Sequence, residues 1–132
     1  MFSKYHNRKT TVRNITFDSK LESHIYLKLL EFLKKYPIAF DRQPEYVLID
    51  GFMVNGNRYR KTVYKGDFNV VINGKIYTID VKSPASETQV FKLKRKLFAQ
   101  KYGREIITVK SVAEFEKWFK KTIREEGLSL YE

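Results

Sequence analysis

From Ser19 onward the apolar positions fall at Leu21, Ile25, Leu29, Phe32 and Leu33, a spacing that predicts an amphipathic helix ending before Pro37. Ser19-Lys20-Leu21-Glu22 fits the capping box that opens such a helix, with Ser19 as N-cap and Glu22 at the third helical position. Past Pro37 the pattern shortens to β-branched and aromatic runs at residues 38–40 and 46–49. These predict one or two strands, then a Gly/Asn-containing connection over residues 50–57. Two further β-rich runs, residues 64–72 and 75–82, flank Asn73-Gly74, a pair whose tolerance of positive φ makes it a strong hairpin signal. Residues 89–102 predict a second helix with Val90, Leu93 and Leu97 on one side, and residues 105–109 a further strand. Ser111 caps a last helix with Val112, Phe115, Phe119 and Ile123 spaced for burial and Trp118 beside them. Helices interleaved with strands in this way predict an α/β (α+β) domain.

The hairpin fixes a register. With Asn73 and Gly74 as a two-residue loop, Ile72 opposes Lys75, and stepping outward along both strands brings Asp67 opposite Asp80. Their Cβ atoms are then expected about 4.5–5.5 Å apart on one side of the sheet. Alternation puts Asp67, Asn69, Val71, Ile76, Thr78, Asp80 and Lys82 on that side and Phe68, Val70, Ile72, Tyr77, Ile79 and Val81 on the other: a polar site and a core face. Two carboxylates directly opposed repel, and a hard divalent cation such as Mg²⁺, with Mn²⁺ as a substitute, relieves the repulsion while leaving coordination positions for water and a substrate phosphate. Lys82 stands two residues after Asp80, placed to orient an attacking water and to stabilise charge developing on phosphorus. Glu22 is the third acid. Its local reading is a cap, its functional reading a metal or water contact.

Composition narrows the partner. A formal net charge of +11, from 26 Lys+Arg against 15 Asp+Glu, makes a polyanion the first candidate. Absence of cysteine excludes disulfides, thiolate metal sites and a cysteine nucleophile and suits a reducing compartment, so a cytoplasmic protein is expected. No apolar run is long enough to cross a bilayer as a helix, and no membrane partner is expected. The 132 residues suit one domain, divided on this reading into a basic N-terminal arm over residues 1–16, carrying Lys4, Arg8, Lys9 and Arg13, and a single domain over residues 17–132. The cluster Arg58-Tyr59-Arg60-Lys61 fits either a nucleic-acid backbone contact or an edge strand protected by its charges. Tyr59, Tyr64 and Tyr77 are expected to pack in strands.

Gly66-Asp67, the hairpin, and Ile79-Asp80-Val81-Lys82, preceded by a helix bearing Glu22, resemble the signature of the PD-(D/E)XK nuclease superfamily. Within it the chain looks closest to small phage-encoded endonucleases, including Holliday junction resolvases. The resemblance implies a restriction-endonuclease-like αβββαβ core with a mixed central sheet flanked by helices. It implies Glu22, Asp67, Asp80 and Lys82 as catalytic residues, and Asp67, Asp80, Glu22 and the backbone carbonyl of Val81 as metal ligands. Gly66 departs from the family's proline, and Asp80 stands where Glu is commoner.

The implied activity is Mg²⁺-dependent hydrolysis of DNA phosphodiester bonds, on branched DNA in phage recombination or replication, by a homodimer. Lys92, Lys94, Arg95 and Lys96, on the helix after the motif, are placed to contact phosphates, with Arg58, Arg60, Lys61 and Lys65 as further candidates. Two alternatives stay open: a nuclease of restriction or transposition type acting on duplex or single-stranded DNA, and a non-catalytic nucleic-acid-binding module of the same fold.

Overall fold

In a computed structural model of the chain, described over residues 9–83 and 87–131, the sheet that carries the molecule has four strands. They are β3 (Ile38–Arg42), β8 (Phe68–Ile72), β9 (Lys75–Val81) and β10 (Ile107–Val109), in spatial order β10-β9-β8-β3. β3, β8 and β9 run antiparallel, and β10 lies parallel to β9, so the sheet is mixed. Three helices accompany it: α1 (Lys20–Lys35), α2 (Gln89–Tyr102) and α3 (Val112–Glu125). The chain order α1, β3, β8, β9, α2, β10 is αβββαβ, as expected, with α3 appended and an insertion between β3 and β8. The fold is α+β.

The Asn73-Gly74 turn takes positive φ at both residues, 52° and 75°. It sets Ile72 against Lys75, and the ladder continues through Asn69 with Thr78 to Phe68 with Ile79, the expected register. Phe68, Val70, Ile72 and Ile79 are fully buried under α1 and α3 with Ile25, Leu29, Phe115 and Phe119. Phe32 of α1 and Phe119 of α3 stack with ring centroids 4.1 Å apart, fastening the two helices over this face. Truncating any such ring costs about 3–5 kcal/mol, because transfer energy is lost and a cavity remains.

The other face differs from expectation. It is covered by a second cluster built from Leu48, Tyr64, Phe91, Phe98 and Ile106. Asn69 and Thr78 are not open to a ligand there. They bond each other at 2.7 Å, and Tyr46 and Arg104 close over them, with Arg104 donating to the Thr78 hydroxyl at 2.8 Å and to the Tyr46 hydroxyl at 2.9 Å. The helix that covers this face turns Phe91 and Phe98 inward, whereas Val90 and Leu93, expected together on its apolar side, are 62% and 58% exposed. Two large aromatic rings seven positions apart outweigh the smaller Val and Leu in deciding the rotation of α2.

The insertion forms ribbons. β4 (Glu45–Ile49) pairs with β7 (Thr62–Lys65) across a register shift between Val47 and Ile49. Beyond it β5 (Phe52–Val54) pairs with β6 (Asn57–Tyr59) around Asn55-Gly56, again with both residues at positive φ. The connection expected over residues 50–57 is therefore mostly a second Asn-Gly hairpin. Part of the expected arm is ordered too. β1 (Thr10–Val12) and β2 (Ile15–Phe17) pair around Arg13 and Asn14, with Phe17 in the core and Val12 and Ile15 against it. Residues 10–17 of the expected arm thus pack with the domain. Residues 1–8, with Lys4 and Arg8, lie outside the described residues.

Candidate functional site

The β8–β9 ladder ends one pair short of the two aspartates. Asp67 still donates its N–H to the Ile79 carbonyl at 3.1 Å, but its own carbonyl accepts from Gln43 at 2.9 Å, and Gly66 donates to the Pro44 carbonyl at 2.9 Å. The chain before β8 is thereby drawn toward residues 43–44, while Asp80 pairs with Thr108 of β10. Strands diverge where the acids stand. Gly66 is explained by the same crowding. A Cβ there would lie 3.0 Å from Thr78 Cγ2 and 3.3 Å from the Tyr64 hydroxyl, and proline would also lack the N–H that Pro44 accepts.

Asp80 is buried, 5% exposed, and both of its oxygens are engaged. Oδ1 lies 2.9 Å from Lys82 Nζ, and Oδ2 accepts from the Tyr64 hydroxyl at 2.5 Å. Lys82 itself sits 3.6 Å above the centre of the Phe91 ring, so α2 holds the ammonium as well as covering the sheet. Asp67 Oδ2 accepts from the Val81 N–H at 2.6 Å. Glu22, 4% exposed, opens α1, where the Ser19 hydroxyl accepts its N–H at 3.1 Å. Half of the expected capping box is thus formed by Ser19, while the Glu22 carboxylate takes a backbone hydrogen bond at Asp18.

The three acids feel one another. Asp67 is held well above the usual carboxylate range by burial first, then by the charges of Asp80 and Glu22, against the opposing Val81 N–H and Lys82. Burial and then Asp18 raise Glu22, Arg42 opposes them, and Asp80 adds a smaller upward push. Burial and the Asp80 charge drive the Tyr64 hydroxyl upward, so it stays protonated and donates.

The donor set is all hard oxygen, and a divalent cation would offset both the burial and the added repulsion that lift Asp67 and Glu22. Among the described residues, however, no three His, Asp or Glu side chains are grouped so that together they could hold a metal ion. The residues fit a cation held by one or two carboxylates, with water and phosphate supplying the rest.

Residues that the sequence pattern did not single out complete the site. Tyr64, expected only to pack, also orients Asp80. Phe91 supports Lys82. Arg42 places its guanidinium 4.4 Å over the Phe17 ring with Nε and Nη2 buried and without hydrogen-bond partners, and its charge favours the ionised form of Glu22. None of these had a local signal, because each is brought in by tertiary packing from a different element.

The expected cationic residues divide into two groups. Lys92, Arg95 and Lys96 line a groove of about 610 Å³ beside Ile106 and Thr108, with Lys94 half-buried on the same helix. Arg95 lies 5.7 Å from the Phe91 ring that also carries Lys82, which joins this group to the acids. Arg58, Arg60, Lys61 and Lys65 are all exposed on the β5–β7 segment.

Residues 2–120 match the family described as "Protein of unknown function (DUF1064)". The chain belongs to this family. No curated protein and no solved structure matches it. The DUF1064 match spans the whole acid cluster, from Glu22 to Lys82, and the basic helix after it.

Proposed function

We propose that this DUF1064 protein is a metal-dependent DNA endonuclease of the PD-(D/E)XK type. The observation that supports the reading most is buried Asp80, bonded to Lys82 and Tyr64 where two strands part, with half-buried Asp67 and buried Glu22 close enough to feel one another's charge. A purely structural site gains nothing from such a cluster, since unrelieved like charges in a poorly solvated place destabilise the fold.

Asp67 and Asp80 would hold a Mg²⁺ or Mn²⁺ ion, with the Val81 carbonyl and Glu22 as further contacts. Bound there, the ion would supply Lewis-acid activation of the phosphate and a more acidic water. The chain's own residues do the positioning. Tyr64 fixes the rotamer of Asp80 through its hydroxyl, and the Val81 N–H does the same for Asp67. Lys82, freed from Asp80 when a phosphate arrives, would place an ammonium against the charge that builds on the phosphoryl oxygens, an effect worth about 10²–10³-fold in rate. Glu22 would orient the attacking water from the N-terminus of α1. The groove of Lys92, Arg95 and Lys96 would carry the DNA backbone past the acids.

The test is cleavage of a synthetic four-way junction and of a linear duplex of equal length, with Mg²⁺ and with EDTA. Mg²⁺-dependent cutting that disappears in Asp80→Asn and drops steeply in Glu22→Gln is the expected outcome. Gln at 22 keeps the backbone cap and loses only the charge. Binding without cutting by the wild type, unchanged in Asp80→Asn, would assign the fold to a non-catalytic binding module. Preference for the junction over the duplex would separate a resolving enzyme from one of restriction or transposition type.

A further inference from the structure

The β5–β6 hairpin stands apart from both hydrophobic clusters. Every residue from 50 to 61 is exposed, and the hairpin forms its own two-stranded sheet. An isolated two-stranded hairpin is marginal in water at best, yet this one carries Phe52, Met53, Val54 and Tyr59, all about half exposed or more. Phe52 opposes Tyr59, and their rings stack at 4.9 Å and 13°. Alternation places Val54 on the same face as that pair, and puts Met53 with Arg58 on the other. One face is aromatic and apolar; the other begins a cationic edge that continues into Arg60 and Lys61. Residues 51–66 hold four cations, Arg58, Arg60, Lys61 and Lys65, and no acid.

At the base of the hairpin Gly51 allows a close approach that a side chain would obstruct. A Cβ there would meet the Tyr59 carbonyl oxygen at 3.2 Å and the Lys61 nitrogen at 3.4 Å, both backbone atoms that cannot swing aside. The ribbon leads directly to the acids, because β7, which follows β6, contains Tyr64, the donor to Asp80.

We infer that the β5–β6 hairpin is a binding arm for unpaired DNA bases, which stack on the Phe52–Tyr59 platform while Arg58, Arg60 and Lys61 hold the adjoining phosphates. The inference deepens the nuclease reading and rests on it for the choice of DNA. A single strand offers what both faces need: exposed base faces for the aromatic rings and regularly spaced anions for the cations. A duplex hides its base faces, and the acid-free charge of this segment opposes a second copy of itself. Tyr59 and Tyr64 are five residues apart, about 17 Å of extended chain at ~3.3 Å per residue. At ~3.4 Å per nucleotide step that contour is an upper bound of about five nucleotides between Tyr59 and Tyr64. The substrate class implied is DNA with a flap, gap or branch point within reach of the cut.

The experiment is fluorescence anisotropy with a labelled 15-nucleotide thymidine oligomer and, separately, a 15-base-pair duplex, both in EDTA so that no cutting intervenes. Phe52→Ala/Tyr59→Ala is expected to weaken the single strand about 10-fold or more while leaving the duplex within about 2-fold. Arg58→Ala/Arg60→Ala should weaken both and flatten the salt dependence for the single strand by about 1.4 in log–log slope. Tyr59→Trp, which keeps a stacking ring, should retain binding and show indole quenching as the oligomer is added. An equal loss on both probes, no loss on either, or no quenching would overturn the proposal. So would a wild-type dimer in sedimentation that dissociates in the aromatic double variant, since the face would then belong to a second copy. Selective loss in EDTA supports the arm even if Mg²⁺ never produces cleavage, an outcome that counts against the nuclease reading alone.

Discussion

Two hairpins in this chain share one turn and meet opposite fates. Asn73-Gly74 and Asn55-Gly56 both adopt positive φ at both residues and both close a tight antiparallel pair. The first is packed on both faces, and its turn is tied down by Glu126, which accepts from Asn73, Lys75 and Tyr77. Those three partners pull the Glu126 carboxyl to about 2 from its ordinary 4.5. The second hairpin is exposed along its whole length. Turn chemistry therefore specifies where the chain reverses, and the residues outside the turn decide whether the product becomes core or arm.

The sharpest way to break this comparison is to truncate one phenylalanine in each hairpin. Phe68→Ala, in the packed hairpin, is expected to lose about 3–5 kcal/mol in urea unfolding. Phe52→Ala, in the exposed one, should lose under about 1 kcal/mol, the worth of a cross-strand pair. Similar losses at both positions would mean that the exposed hairpin is part of the cooperative unit.

A smaller effect probes how the packed hairpin supports the acids. Tyr64→Phe removes only the hydroxyl that donates to Asp80, so the fold should persist while cleavage or metal affinity falls about 10–100-fold. Full activity in that variant would reduce Tyr64 to a packing residue. Next come the turns. Gly74→Ala should cost about 1 kcal/mol or more of global stability, because its φ of 75° strains any side chain. Gly56→Ala, with a φ of 78°, should loosen only the arm, seen as faster amide exchange over residues 52–59 without a shift in global unfolding.

The mildest effect is in pH. Asp67 and Glu22 are raised in the folded state, so the stability they contribute is present below the ordinary carboxylate range and is lost as pH climbs through their raised values. A cation favours the ionised forms and offsets that loss. Added Mg²⁺ should therefore raise the melting temperature more at about pH 8 than at about pH 5. Glu126 acts in the opposite sense. Its contribution is present above 4.5 and fades as pH falls toward about 2, measurable as loss of thermal stability in acid.

The packed hairpin is legible from the sequence because the Asn73-Gly74 turn pins the pairing, and the two-residue period of a strand carries that register outward to the core face and the acids. The exposed hairpin was not, since Phe52-Met53-Val54 and Asn57-Arg58-Tyr59 are too short and too mixed to show a period. Without flanking alternation the same Asn-Gly signal reads only as a connection. Asp67, Asp80 and Lys82 followed from register, and the structure brings Glu22 within electrostatic reach of both aspartates. Tyr64, Phe91 and Arg42 did not, because their roles depend on how β7, α2 and β3 pack rather than on any local spacing. Helix α2 shows the limit from the other side. Its extent follows from the sequence, but its rotation is set by Phe91 and Phe98 meeting a cluster assembled from distant segments.

Whether Asp67 and Asp80 clasp one ion can be read directly from Mn²⁺-induced broadening of backbone amide signals in the wild type and in Asp67→Asn and Asp80→Asn. Broadening centred on residues 67 and 80–82 that vanishes in either variant is the result expected. A centre of broadening elsewhere, or one that survives the loss of either aspartate, would contradict a shared site.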